Sequence, residues 1–322
     1  MIKIAAFARP KSGIDYHRIY APLRALARDN KDIEVKFGSN FHEFGKDYWN
    51  SCTHIIASRS LAVPVDQIEQ AANLCREYGK KFIVDVDDYW HLPIQHPKKR
   101  MQESNQVPER IEETLTHADI VWTTNKHLAK KIKRYNKNIS IIPNGIDRKT
   151  PQWQKAKKSS KDVRFGYIAG NFHETDLDAY NIDLGGVESY AMDLGLYPEM
   201  LNAKHLLKPL SPDEYGELYS NIDVSIIPLI ASDFNKCKSH LKLIEAAFTN
   251  TAVICSDVNP YAPYLKNEEN CLAVRTPEGW ANAVERLSKD KELVKYLAKN
   301  LKEDMAEFEM ENVNKLRLKD LQ

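Results

Sequence analysis

The stretch FNKCKSHLKLIEAA, residues 234–247, gathers Lys236, Lys238, His240 and Lys242 around the start of an apolar helical pattern, then sets Glu245 among the apolar residues. A helix N-terminus already carries about half a positive charge, so each extra cation costs some tenths of a kcal/mol there unless an anion is bound. Backbone N–H groups of a first helical turn, joined by lysines, make a phosphate site; lysines pointing into water are the plainer alternative. Ser239 is the candidate N-cap, and position 242, where a capping box would place Glu or Gln, holds Lys242. Leu241, Ile244 and Phe248 form an apolar stripe with Glu245 on the same face. A carboxylate in that setting needs hydrogen-bond partners. The vicinal hydroxyls of a ribose would satisfy both its oxygens; a local backbone group at the edge of the stripe is the alternative. Phosphate at the helix start and ribose one turn deeper together describe a nucleoside diphosphate.

A second cluster lies in VDVDDYWHLP, where Asp85, Asp87 and Asp88 follow an apolar run. Mutual repulsion raises the pKa of at least one of them and suits it to accept a proton. Asp88 is the first candidate for that base and Asp85 the second. Binding of a divalent cation, or capping of the following turn by Asp87 and Asp88, are the alternatives.

These residues need strands that end beside them. IKIAAFA, IEVKFG, THIIAS, KFIVDVD, DIVWTT and ISIIPNG are six apolar runs separated by segments with apolar residues three or four apart. The same rhythm resumes in VRFGYIAG, KHLLKPL, DVSIIPL, TAVICSD and CLAVR, whereas residues 171–201 show no clear pattern. Continuous apolar strands alternating with helices predict an α/β chain of two doubly wound, Rossmann-like domains facing each other across a cleft, with ligands outside the carboxyl ends of the strands. The expected division is residues 1–148, a polar linker over 149–162, a second domain over 163–290, and helices over 291–322 that return towards the first domain.

The 322 residues, 43% hydrophobic and 28% charged, suit a globular protein rather than a disordered or fibrous one. No apolar run reaches the roughly 20 residues of a membrane span, and the first ten residues do not form a signal peptide, so a cytoplasmic protein is expected. Five scattered cysteines without a CxxC pair point to reduced thiols and to no zinc site. The net charge of +1 divides unevenly: residues 1–150 hold 25 Lys and Arg against 18 Asp and Glu, or +7, which leaves −6 for the rest. A basic first half favours an anionic partner there; drift in surface charge is the alternative.

FNKCKSHLKLIEAAFTNTAVICSDVNPYAPYL, followed by ENCLAV, resembles the donor-binding segment of GT-B glycosyltransferases. RFGYIAGNFHETDL is similar to the first strand and glycine loop of the C-terminal domain in that superfamily, IIPNGID to the strand before its linker, and SGIDYHR to the N-terminal glycine loop that faces the donor. The resemblance implies that Glu245 binds ribose, and that Lys238, Lys242, His173 and the amides of Ser239, His240 and Leu241 hold the diphosphate. It places Gly170 and Asn171 in the glycine loop, the backbone near Leu210 against the base, Gly13 at the facing loop, and Arg18 as a further charge for the phosphates. It implies no required cofactor or metal, the nucleotide sugar being a co-substrate, with UDP the expected nucleotide. Retaining members often carry a second glutamate eight residues earlier; Cys237 stands there, which leaves both anomeric outcomes open.

A looser resemblance, in DVDDYWHLP, the GID segment, Gly170 with His173, and Lys242 three before Glu245, is to phage enzymes that glucosylate hydroxymethylated DNA bases. In an inverting transferase of this kind Asp88, or Asp85 or Asp87, would deprotonate the acceptor hydroxyl. The favoured acceptor is hydroxymethylated cytosine in double-stranded DNA, with HPKKR and KHLAKKIKR on its phosphates. An anionic surface glycan or lipid-linked acceptor suits the same lysines. A nucleotide-sugar 2-epimerase and a non-catalytic binding module of nucleic acid or nucleotide sugar are the rival classes.

Overall fold

The computed structural model describes every residue except Pro10 and Ala62. It divides into two units: Met1–Asp147 with Cys237–Ser239 and Met310–Gln322, and Arg148–Lys236 with His240–Glu309.

The first unit is built on a parallel sheet of β1 (Ile2–Phe7), β2 (Ile33–Gly38), β3 (His54–Ser58), β4 (Lys81–Val86), β5 (Ile120–Thr123) and β6 (Ile139–Ile141), in the order β2-β1-β3-β4-β5-β6. Strands covered on both faces read as unbroken apolar runs, and β4 shows why. Phe82, Val84 and Val86 enter one apolar cluster while Ile83, between them, enters the other, as the two-residue period of a strand requires. The order reverses at β1, which puts a topological switch point at the carboxyl ends of β1 and β3. Helix Met310–Leu321 packs on the Ile83 side through Val313 and Leu321. There Asn314 Nδ2 donates to the Pro22 carbonyl at 2.9 Å, and Trp122 Nε1 to Asp320 Oδ2 at 2.7 Å.

The second unit holds β7 (Arg164–Tyr167), β8 (Glu188–Met192), β9 (His205–Leu207), β10 (Val224–Ile227), β11 (Ala252–Ser256) and β12 (Leu272–Val274), all parallel, in the order β12-β11-β10-β7-β8-β9. Renumbered within the unit this is the 3-2-1-4-5-6 order of dinucleotide-binding sheets, with the switch point between β7 and β10. Those two strands pair only at Val224 with Phe165 and Ser225 with Gly166, so their carboxyl ends lie beyond the paired stretch.

Two segments differ from the expectation drawn from sequence. β8 falls in the unassigned residues 171–201; its polar Glu188 and Ser189 hide the apolar alternation. After β9, Tyr215–Asn221 forms a 3₁₀ helix. The polar residues 149–162 are anchored in the second unit: Trp153 is buried, Gln152 Oε1 accepts from the Gly216 amide at 2.7 Å, and Lys157 Nζ donates to the carbonyls of Tyr219 and Ile222 and to Thr251 Oγ1. Of the C-terminal helices, Lys291–Asp304 stays within the second unit. Among the described residues no helix is long and apolar enough to cross a membrane.

Candidate functional site

In the second unit Gly170, Asn171, His173, Lys242 and Glu245 lie on segments that follow the switch-point strands β7 and β10. The loop after β7 carries Gly170, Asn171, Phe172 and His173, with Phe172 in the left-handed region at φ 72°. Tyr197 pins this loop by donating from its hydroxyl to the Gly170 carbonyl at 2.7 Å and accepting from the His173 amide at 2.9 Å. Asp176 Oδ2 and His173 Nδ1 lie at hydrogen-bond distance, 2.8 Å. A Cβ at Gly170 would meet no atom within 4 Å, and its φ is not positive, so local packing does not demand glycine there.

Helix Leu241–Phe248 follows. Lys242 Nζ lies 5.4 Å from the ring centroid of Tyr167, the last residue of β7, a cation–π contact. Glu245 is buried and its Oε2 accepts from the Tyr219 hydroxyl at 2.9 Å. Burial pushes the Glu245 carboxyl up to about 7, against the bond from Tyr219 and the charge of Lys242. Leu210 follows the edge strand β9 and is exposed.

Two readings of this segment are corrected. The helix N-cap is His240, not Ser239, and it makes no side-chain cap bond. His240 is not one of the cations at the helix start: its buried ring stacks on Tyr264 at 4.0 Å and meets Phe308 edge-on. Burial lowers its pKa to about 3, so it is neutral. Only its backbone can meet an anion.

Lys238 and Ser239 belong to the first unit. Asn125 Nδ2 donates to the carbonyls of Cys237 and Lys238 at 3.1 and 2.9 Å, and Asn144 Nδ2 to Ser239 Oγ at 2.9 Å. The Cys237 side chain joins the apolar cluster of Trp90 and Leu128. A thiol buried among hydrocarbon does no acid–base work in place of a glutamate.

Arg18 and Asp85 also depart from expectation. Both are buried and form a bidentate pair, Nε to Oδ1 at 2.8 Å and Nη2 to Oδ2 at 2.9 Å, while Arg18 Nη1 donates to the Ile142 carbonyl and to Asn144 Oδ1. Arg18 is thus committed to its own unit rather than to donor phosphates, and Asp85 is held by a permanent cation and is no proton acceptor. Asp87 is the carboxylate suited to that role. Burial and the neighbouring Asp88 push its pKa up to about 7, and its Oδ1 has no hydrogen-bond partner among the described residues. Asp88 itself is half-buried.

The sequence did not single out Asp15, Asp176, Tyr197 or Tyr219. Asp15 binds the switch point of the first sheet, accepting from the Arg9 amide at 2.7 Å, from Arg9 Nε at 3.1 Å and from Ser58 Oγ at 2.5 Å. Gly13 beside it is exposed, and a Cβ there would meet nothing within 4 Å. Residues Gly13 to Asp15 were in view as part of SGID; the partner Ser58 lies 43 positions from Asp15, beyond any local pattern. Among the described residues no three His, Cys, Asp or Glu side chains group as a metal ligand set.

No family model matches the chain and no curated protein matches it in sequence. Solved structures match along its whole length. Sucrose-phosphate synthase from Thermosynechococcus elongatus aligns with a TM-score of 0.69 at 13% identity, covering 100% of this chain and 98% of that one. Anabaena HepE, solved with UDP-glucose, gives 0.62 at 12%, covering 100% and 99%. The apo lipopolysaccharide outer core galactosyltransferase WaaB gives 0.56 at 15%, covering 99% of each chain. Both six-stranded parallel sheets and this end-to-end correspondence give the chain the GT-B fold.

Proposed function

We propose that this GT-B chain is a glycosyltransferase that takes its sugar from a nucleotide diphosphate donor, UDP-linked, and passes it to a hydroxyl of an anionic acceptor. The observation that carries the reading is Glu245, a buried carboxylate one turn inside a helix whose start lies in the segment following the switch-point strand β10. Ribose hydroxyls are the partners such a carboxylate serves. The amides of His240 and Leu241, with Lys242 and His173, stabilise the charge that develops on the leaving diphosphate. Exposed glycines at positions 13 and 170, which their own packing does not require, suit close approach by a ligand. HepE, of the same fold, is solved with UDP-glucose, which supports uracil as the base.

In the transfer the acceptor oxygen forms a bond to the anomeric carbon as the bond from that carbon to the diphosphate oxygen breaks. The hydroxyl proton passes to Asp87 and the electron pair leaves with UDP, an inverting displacement. For the acceptor, the first unit exposes Lys98, Arg100, Lys126, Lys130, Lys133, Arg134 and Lys137, and Lys131 lies 5.1 Å from the Tyr89 ring. Cations interleaved with aromatic rings suit a phosphate-bearing acceptor. Hydroxymethylated cytosine in DNA is the acceptor the sequence resemblance favours.

A screen of nucleotide sugars against unmodified DNA, hydroxymethylcytosine DNA and anionic glycans, followed by mass, tests this. The expected result is an acceptor that gains one sugar as UDP appears. A gain on a glycan and on no DNA would replace the acceptor. An altered sugar released without acceptor would mark an epimerase instead.

A further inference from the structure

Asp176, inside the RFGYIAGNFHETDL run but given no role there, is buried and bound to the loops that follow both strands of the second sheet's switch point. Its Oδ2 takes the His173 ring from the loop after β7. Its Oδ1 takes the Ile230 amide at 3.0 Å and Asn235 Nδ2 at 3.2 Å from the loop after β10. Asn235 Nδ2 also donates to the Ile230 carbonyl at 3.0 Å, and its own amide donates to Ser232 Oγ at 3.0 Å. Asn235, like Asp176, is buried. The strands β7 and β10 pair at only two positions, and the Asp176 side chain joins the loops that follow their carboxyl ends.

An ionised carboxylate only accepts, which would place the shared proton on His173 Nδ1. That choice fixes the tautomer and the plane of the ring. We infer that Asp176 is a positioning residue for the donor site: it ties the two switch-point loops together and sets the tautomer in which His173 meets the donor diphosphate. The inference rests on the nucleotide-sugar reading of this site. It also gives a reason for Asn235 in the FNKCKS stretch, as the group that fastens the segment leading to helix Leu241–Phe248 onto the glycine loop.

The test joins imidazole nitrogen NMR to UDP binding by calorimetry on the full chain, for the wild type, Asp176→Asn, His173→Gln and the double variant. In the wild type His173 is expected to be protonated at Nδ1, a spectrum that requires no variant to fold. Asp176→Asn keeps an oxygen for the Ile230 amide but offers His173 no carboxylate. It is expected to shift the ring resonances and weaken UDP binding five- to fifty-fold, and the double variant is expected to bind about as weakly as the weaker single one. A His173 ring protonated at Nε2 alone overturns the inference, as does unchanged UDP affinity in Asp176→Asn or additivity in the double variant. A wild type that binds no UDP overturns the donor-site reading itself, and the inference with it.

Discussion

Asp87 and Glu245 are two carboxylates raised to about 7 by burial, and they make opposite demands on pH. As a base Asp87 must be ionised, so turnover rises with pH through about 7. Exchanging Asp88 for Asn removes the repulsion of the neighbouring charge and should move that rise to lower pH. Asp87→Asn should lower turnover by about 100-fold or more, within the usual range for a general base. A pH–rate profile flat between 6 and 8, or an Asp87→Asn variant of normal rate, would be the contrary result. For Glu245 the effect is on stability. Its folded pKa stands above the ordinary glutamate value of 4.5, so the folded chain holds the proton more tightly, and stability falls as pH rises from about 4.5 through 7. Glu245→Gln removes that dependence. Thermal unfolding at pH 5 and pH 8 should therefore show the variant gaining on the wild type at the higher pH; equal melting differences at both would contradict the buried, protonated carboxyl. That Glu245 carried an unusual environment was legible from its place in an apolar stripe. That Arg18 would cancel Asp85 was not, because a pair 67 residues apart is made by the sheet and leaves no trace in local spacing.

Tyr197 shows what a single loop owes to a neighbouring element. Its hydroxyl hydrogen-bonds the backbone of residues 170 and 173, and its ring meets Tyr167 edge-on with centroids 5.1 Å apart. Tyr197→Phe keeps the ring contact and deletes both bonds, leaving two backbone groups to find other partners, at about 1–3 kcal/mol. UDP binding should weaken several-fold and the melting temperature fall by several degrees, at roughly 2–4 °C per kcal/mol; full affinity in Tyr197→Phe would show that the loop does not need its pin. Eleven of the twelve strands stood out in the sequence because runs such as IKIAAF and AVICS are apolar on both faces. β8 did not, since Glu188 and Ser189 break the run and their partners, among them the Leu184 carbonyl that Ser189 Oγ donates to at 3.1 Å, are supplied only once the unit has folded. The helix start at Leu241 was legible to within two residues, but its cap was misread because Ser239 serves Asn144 instead.

For the chain as a whole, the first unit completes its core with residues distant in sequence. Arg317 is buried with its guanidinium 5.7 Å from the Trp122 ring and donates to Asn314; burial and the charge of Arg18 lower its pKa to about 9. A chain ending at residue 309 would strip Trp122 and Lys81 of their bonds to Asp320 and expose the face covered by Val313 and Leu321. Its melting temperature, followed by tryptophan fluorescence, should fall by several degrees, at roughly 2–4 °C per kcal/mol lost in a domain of this size; an unchanged transition would mean the last helix adds nothing to the first unit. The two-domain rhythm and the sign of each half's charge were open to reading in the sequence, whereas the return of residues 310–322 rested on a helical pattern alone. The central claim, a nucleotide-sugar site organised by Glu245, is tested most directly by calorimetric titration of UDP into the wild type and Glu245→Gln at pH 7.5. The account predicts saturable 1:1 binding that Glu245→Gln weakens by about tenfold or more, near 1.4 kcal/mol, while the variant remains folded. Absence of UDP binding, or equal affinity in the two proteins, would contradict it.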